Sequence, residues 1–148
     1  MNKRQKAILV EFITVVVVTA IAVVAMINLK DWVNRSEAMR AMEHLGQEVF
    51  KYRKDKGVLP ADVDNIKKGV PGWVRLGNLR YRARWIDFFE ATPDEVLAYT
   101  EKNYRSSLLS DGYVVLRLDG RVEWMGQEEF EKLLAEQQSE YEIEMLRK

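Results

Sequence analysis

AILVEFITVVVVTAIAVVAMINL, residues 7–29, is an unbroken apolar run in which Glu11 is the only ionisable side chain. Thr14, Thr19 and Asn28 are its other polar members. At about 1.5 Å per residue a helix of this length reaches roughly 34 Å, enough to cross a hydrocarbon core of about 30 Å with some tilt. Four consecutive valines at 15–18 are poor helix formers in water. In lipid the backbone must satisfy its own hydrogen bonds, and helix is the expected outcome. A cleavable secretory signal is the competing reading, but its apolar stretch covers about 7–15 residues. This run is longer, although residues 20–25 supply the small side chains a signal peptidase needs.

Lys3, Arg4 and Lys6 precede the run, and Lys30 and Arg35 follow it among Asp31 and Glu37. The positive-inside rule then predicts a cytoplasmic amino terminus and a carboxyl-terminal side outside the cytoplasm. Glu11 demands an explanation, since a charge deep in a bilayer costs about 2.5–3.5 kcal/mol on insertion scales. Two readings stay open. Glu11 snorkels to the headgroups from one turn inside the membrane, or it meets a cation, supplied by the chain's own amino-terminal region or by a neighbouring copy.

No proline interrupts residues 29–54, so the helix is predicted to continue outward. Ala38, Met42, Leu45, Val49 and Tyr52 follow one another at steps of 4, 3, 4 and 3, a single apolar stripe. Arg40, Glu43, Glu48, Arg53 and Lys54 lie mostly off it, and Gly57 and Pro60 end the helix. His44, beside the stripe, reads as a solvated surface residue.

A short basic leader followed by an apolar helix with a glutamate five residues into it resembles the amino terminus of type IV pilins and type II secretion pseudopilins. The resemblance implies a leader from Met1 to Lys6, a processed and methylated first residue at Ala7, and pairing of Glu11 with a neighbour's amino terminus during assembly. The possible processing site is therefore Lys6 and Ala7. The family carries glycine before the cut and usually phenylalanine after it, where this chain has Lys6 and Ala7. A protein that keeps its leader and stands as an anchor is thus the alternative. Residues 52–60, YRKDKGVLP, resemble the link that follows the pseudopilin helix.

Residues 61–78 carry Gly69, Pro71, Gly72 and Gly77 and read as a loop, with a helical turn near 62–68. Residues 79–85 alternate with period two, predicting a strand that turns Leu79, Tyr81, Ala83 and Trp85 one way and Arg80, Arg82 and Arg84 the other. The arginine face is either an anion- or DNA-contacting stripe or a solvated edge guard. Thr92-Pro93-Asp94-Glu95 fits a capping box opening a helix to 103, in competition with a strand over 96–100. A strand over 113–118, a two-residue Asp119-Gly120 turn and a strand over 121–125 form a hairpin. Residues 127–145 read as one helix with Phe130, Leu133, Leu134, Tyr141 and Met145 apolar.

Residues 93–137 resemble the carboxyl end of a group of bacterial prepilin-like proteins, in which a Leu-Ala-Tyr-like strand leads to a strand ending Asp-Gly-His-Val, then an aromatic residue and an acidic helix. The matching residues are Val96-Leu97-Ala98-Tyr99 and Asp119-Gly120-Arg121-Val122-Glu123-Trp124. The likeness favours the strand over 96–100. Arg121 replaces the group's histidine, so no metal role transfers.

Composition narrows the function further. The 148 residues carry 23 basic and 23 acidic side chains, no cysteine and one histidine. Within residues 123–148 eight acids face three bases, a net charge of −5. A net basic balance is lacking, so nucleic acid is not an expected partner. Nothing assembles a nucleophile with a base, a phosphate loop or a zinc site, and no catalytic residue, metal, cofactor or small-molecule substrate is expected. Asp62, Asp64 and Asn65, or Asp111 and Asp119, offer too few oxygens for calcium. Trp73, Trp85 and Trp124 read as core or sheet-surface residues, and the methionines as packing.

The expected fold is α+β and pilin-like: a leader at 1–6, a transmembrane helix at 7–29, a spine helix at 30–56, a loop and antiparallel sheet at 57–126 and an acidic helix at 127–148. The expected function is a non-enzymatic, single-pass structural or assembly subunit of a type II secretion or type IV pilus-like system in a bacterial inner membrane. Its partners would be membrane lipid and either itself or other pilin-like subunits. Glu11 carries charge pairing, and Ala20, Ala22 and Ala25 carry helix packing. The alternative is an uncleaved, membrane-anchored extracytoplasmic binding or scaffold module.

Overall fold

The computed structural model describes residues 2–106 and 108–147; Met1 of the leader and Lys148 of the last segment lie outside them. Helix α1 (Lys3–Lys56) is continuous over 54 residues, roughly 81 Å. No break separates leader, apolar run and spine. Asn2 opens the helix through a reciprocal pairing with Gln5, and Gly57, in the left-handed conformation at φ 78°, closes it by donating its N–H to the Arg53 carbonyl. A short helix α2 (Asp64–Gly69) and a 3-10 turn (Trp73–Leu76) then lead to the sheet.

Four antiparallel strands follow in spatial order β1 (Arg80–Tyr81), β2 (Val96–Lys102), β3 (Gly112–Arg117) and β4 (Val122–Gly126). Both faces are covered. Ala38, Ala41, Met42, Leu45 and Val49 of α1 pack with Leu97, Ala98, Val114 and Leu116 on one face. Gly46 leaves room there, since a Cβ on it would lie 3.0 Å from a Leu116 methyl. Val96, Val115 and Met125 form the second face with Phe130 of α3 (Gln127–Gln137), whose ring stacks on Tyr113 at 4.1 Å and meets Tyr99 at 4.9 Å. Coverage on both sides explains why β3 reads as a continuous apolar run.

The structure corrects four expectations and decides between two competing ones. The predicted strand over 79–85 is two residues long and passes into a 3-10 turn (Ala83–Trp85), because Arg82 turns inward. Of the two competing readings after Thr92, the strand that the likeness favoured is the one that forms, over residues 96–102, with β3 completing its hydrogen bonding, and the helix does not form. The hairpin loop has three residues, not two: Arg117 N–H bonds the Arg121 carbonyl, and Gly120 at φ 92° makes the reversal. The single helix over 127–148 is two, α3 and α4 (Glu140–Leu146), because Ser139 caps the second by accepting the Glu142 N–H at 3.2 Å. Tyr52, Tyr141 and Met145 are 38%, 63% and 43% exposed, so they fall outside the core.

Candidate membrane and assembly surface

The apolar run of α1 is long and apolar enough to cross a membrane, and none of it is buried by the rest of the chain. Soluble monomers rarely leave contiguous apolar patches beyond a few hundred Å² in water. The two halves of α1 thus diverge: residues 38–49 put one stripe into a protein core, whereas residues 8–27 show large apolar side chains on all sides.

Helical geometry, about 100° per residue, sorts the predicted residues. Ala7, Glu11, Thr14, Val18, Ala22 and Ala25 fall on one stripe, at steps of 4, 3, 4, 4 and 3. Ala20 lies on the opposite side, a correction to the grouping of the three alanines. Lys6 is off the stripe. The polar side chains of the run differ in how they are satisfied. Thr14 donates its hydroxyl to the Val10 carbonyl at 2.8 Å, and Asn28 donates its amide to Val24 at 2.9 Å. An ionised carboxylate has no proton to donate, so in that form Glu11 gains nothing from α1's own carbonyls. Among the described residues no ion pair reaches it.

At the carboxyl-terminal end of the run the connection between β2 and β3 folds against α1. The Ser106 hydroxyl donates to the Asn28 side-chain oxygen and accepts the N–H groups of Leu108 and Leu109 at 3.0 and 3.1 Å. Tyr104 N–H donates to Asp111 at 2.7 Å, its ring lies 5.6 Å from Trp124, and the Arg35 guanidinium covers that indole at 4.2 Å. Burial pushes the Tyr104 hydroxyl up to about 12, with Arg35 opposing and Asp31 and Asp111 adding to the rise. Asp31 itself is buried. A collar of polar and aromatic groups therefore ties the sheet domain to α1 where the apolar run ends.

A second polar cluster pins the end of the chain. Arg82, 2% exposed, donates to both carboxylate oxygens of Glu142 at 2.8 and 2.9 Å, to the Val96 carbonyl at 2.9 Å and to the Gln137 carbonyl at 3.2 Å. Glu95 stands 3.5 Å away. The sequence reading missed this cluster: Arg82 is neither an anion-contacting stripe nor an edge guard, while Arg80 and Arg84 are exposed. Its one sequence signal is weak, an acid at 142 on the side of α4 that Tyr141 and Met145 were expected to bury.

The remaining residues have plain local work. His44 is exposed. Asp62 accepts the Asp64 N–H at 2.9 Å, and Asp119 accepts the Arg121 backbone N–H at 2.9 Å and its guanidinium at 2.6 Å. Trp73 is exposed, and Trp85 meets Tyr141 edge-on at 5.7 Å. No family model matches the chain, and no curated protein or solved structure does either.

Proposed function

We propose that the protein is a single-pass, pilin- or pseudopilin-like membrane subunit that assembles through the apolar half of α1. The amino terminus faces the cytoplasm and the sheet domain stands outside a bacterial inner membrane. The observation that carries the reading is Glu11, one acid on a stripe of small and β-branched residues, with no cation among the described residues and no help from its own helix. In a bilayer that carboxylate is tolerable when a neighbour brings a positive group to it, and small side chains let helices approach closely enough to do so. The sheet domain then presents contacts to neighbouring subunits. Replacing Glu11 with alanine is expected to leave membrane insertion intact and to reduce co-purification of two differently tagged copies. Unchanged co-purification would refute the assembly role.

A second reading, an uncleaved anchored scaffold module, draws on Lys6 in the place of glycine and on a helix that runs unbroken from Lys3 through the apolar run. The amino-terminal mass of protein taken from its native membrane separates the two. A methylated Ala7 supports assembly after processing, and an intact Met1 supports the standing anchor.

A further inference from the structure

The connection between β2 and β3 lies at a defined height on α1. Ser106 bonds Asn28, the last residue but one of the apolar run, and the same hydroxyl holds the backbone of Leu108 and Leu109. If residues 7–29 fill the hydrocarbon core, the loop stands at the boundary between acyl chains and headgroups. Its composition suits that layer. Leu108 is 79% exposed, and Arg105, three positions earlier in the chain, is exposed as well. On α1 at the same level Lys30 is exposed and Trp32 is 59% exposed, one turn beyond Asn28. Tryptophan favours the headgroup layer, and long cationic side chains reach its phosphates while their stems stay in apolar surroundings.

We infer that this loop is a membrane-contact element of the sheet domain. Leu108 enters the outer-leaflet boundary, and Arg105 and Lys30 meet lipid phosphates. The inference rests on the membrane-spanning reading of α1 and deepens it. A helix alone fixes the height of the domain but leaves open how the domain leans toward the membrane surface. A second contact off that axis fixes which face turns to the membrane and which remains open to neighbours. The partner is the lipid surface in which α1 itself stands, because the loop's fixed point on α1 is a residue of the apolar run.

The natural chain has no cysteine, so single replacements can be labelled cleanly. Leu108→Cys, Val17→Cys and Glu129→Cys, each carrying an environment-sensitive nitrobenzoxadiazole probe, are compared in full-length protein reconstituted into phosphatidylethanolamine–phosphatidylglycerol vesicles containing spin-labelled lipid. The inference expects blue-shifted emission and lipid quenching at Val17 and Leu108, with the Glu129 probe in water. Quenching at Val17 with an aqueous Leu108 probe overturns the loop contact and leaves the span intact. No quenching at Val17 overturns the span and the loop contact together. A Leu108 probe that shifts only as protein concentration in the vesicle rises, without lipid quenching, means that a neighbouring copy covers it and also overturns the inference.

Discussion

Glu142 is 1% exposed and held by the guanidinium of Arg82, whereas Glu11 stands on an exposed apolar helix face with no cation among the described residues. The sheet domain solves the problem of a desolvated carboxylate within one chain. Arg82 supplies both charge and hydrogen bonds, and its remaining donors reach backbone carbonyls of residues 96 and 137. A buried pair of this kind contributes specificity of placement more than net stability. Here it fixes α4 and the end of α3 against the start of β2. The apolar half of α1 offers no such partner among the described residues, and on the proposed assembly reading a neighbouring copy supplies it.

Breaking the satisfied site has the largest expected effect. Glu142→Ala leaves buried Arg82 with only the more distant Glu95 as a counter-charge and should cost about 3 kcal/mol of unfolding free energy, the lower end of the range for breaking a buried pair, in the full chain held in detergent. The Arg82→Met, Glu142→Leu double variant should recover most of that loss, which chemical denaturation followed by tryptophan fluorescence would show. A smaller effect separates the two halves of α1. Leu45→Ala removes a fully buried side chain of the helix–sheet core and should cost about 2–5 kcal/mol. Ile21→Ala, exposed in the apolar half, should leave the same transition unmoved. Equal effects would mean that the two halves are not differently solvated.

The smallest effect concerns the collar between those halves. Burial raises the Tyr104 hydroxyl from 10.0 to about 12 in the folded chain. A group whose folded value is raised contributes stability that is complete below the unfolded value and is lost as pH rises through the folded one. Docking of the loop should therefore weaken between about pH 10 and 12. Tyr104→Phe should remove that part of the pH dependence, read as the difference in alkaline change of tryptophan fluorescence between the two proteins, both carrying Trp124 as the one tryptophan with Trp32, Trp73 and Trp85 replaced by phenylalanine.

Much of the architecture is legible in the residues themselves. Ala38, Met42, Leu45 and Val49 recur with the period of a helix and are buried, and Asp119-Gly120 marks the reversal between β3 and β4. Local signals fail where a distant partner decides. Period two over 79–85 describes a strand correctly for two residues, until Arg82 is drawn to a carboxylate 60 positions away. The acidic tail is helical as expected but divides at Ser139, where capping and the Arg82 contact outweigh continuity. The stripe containing Glu11 can be read from helical spacing, and the spacing excludes Ala20 from it. The collar is invisible in sequence, because Ser106 and Asn28 are 78 residues apart and neither lies in a recognisable pattern.

The claim that Glu11 marks a face where copies meet is tested most directly by oxidative crosslinking in the native membrane. Val18→Cys lies on the Glu11 stripe and Val16→Cys lies nearly opposite, and the natural chain contributes no competing thiol. The account predicts a disulfide-linked dimer from Val18→Cys, little from Val16→Cys, and loss of the first when Glu11→Ala is added. Equal yields from the two positions, or a Val18→Cys dimer that survives Glu11→Ala undiminished, would contradict it.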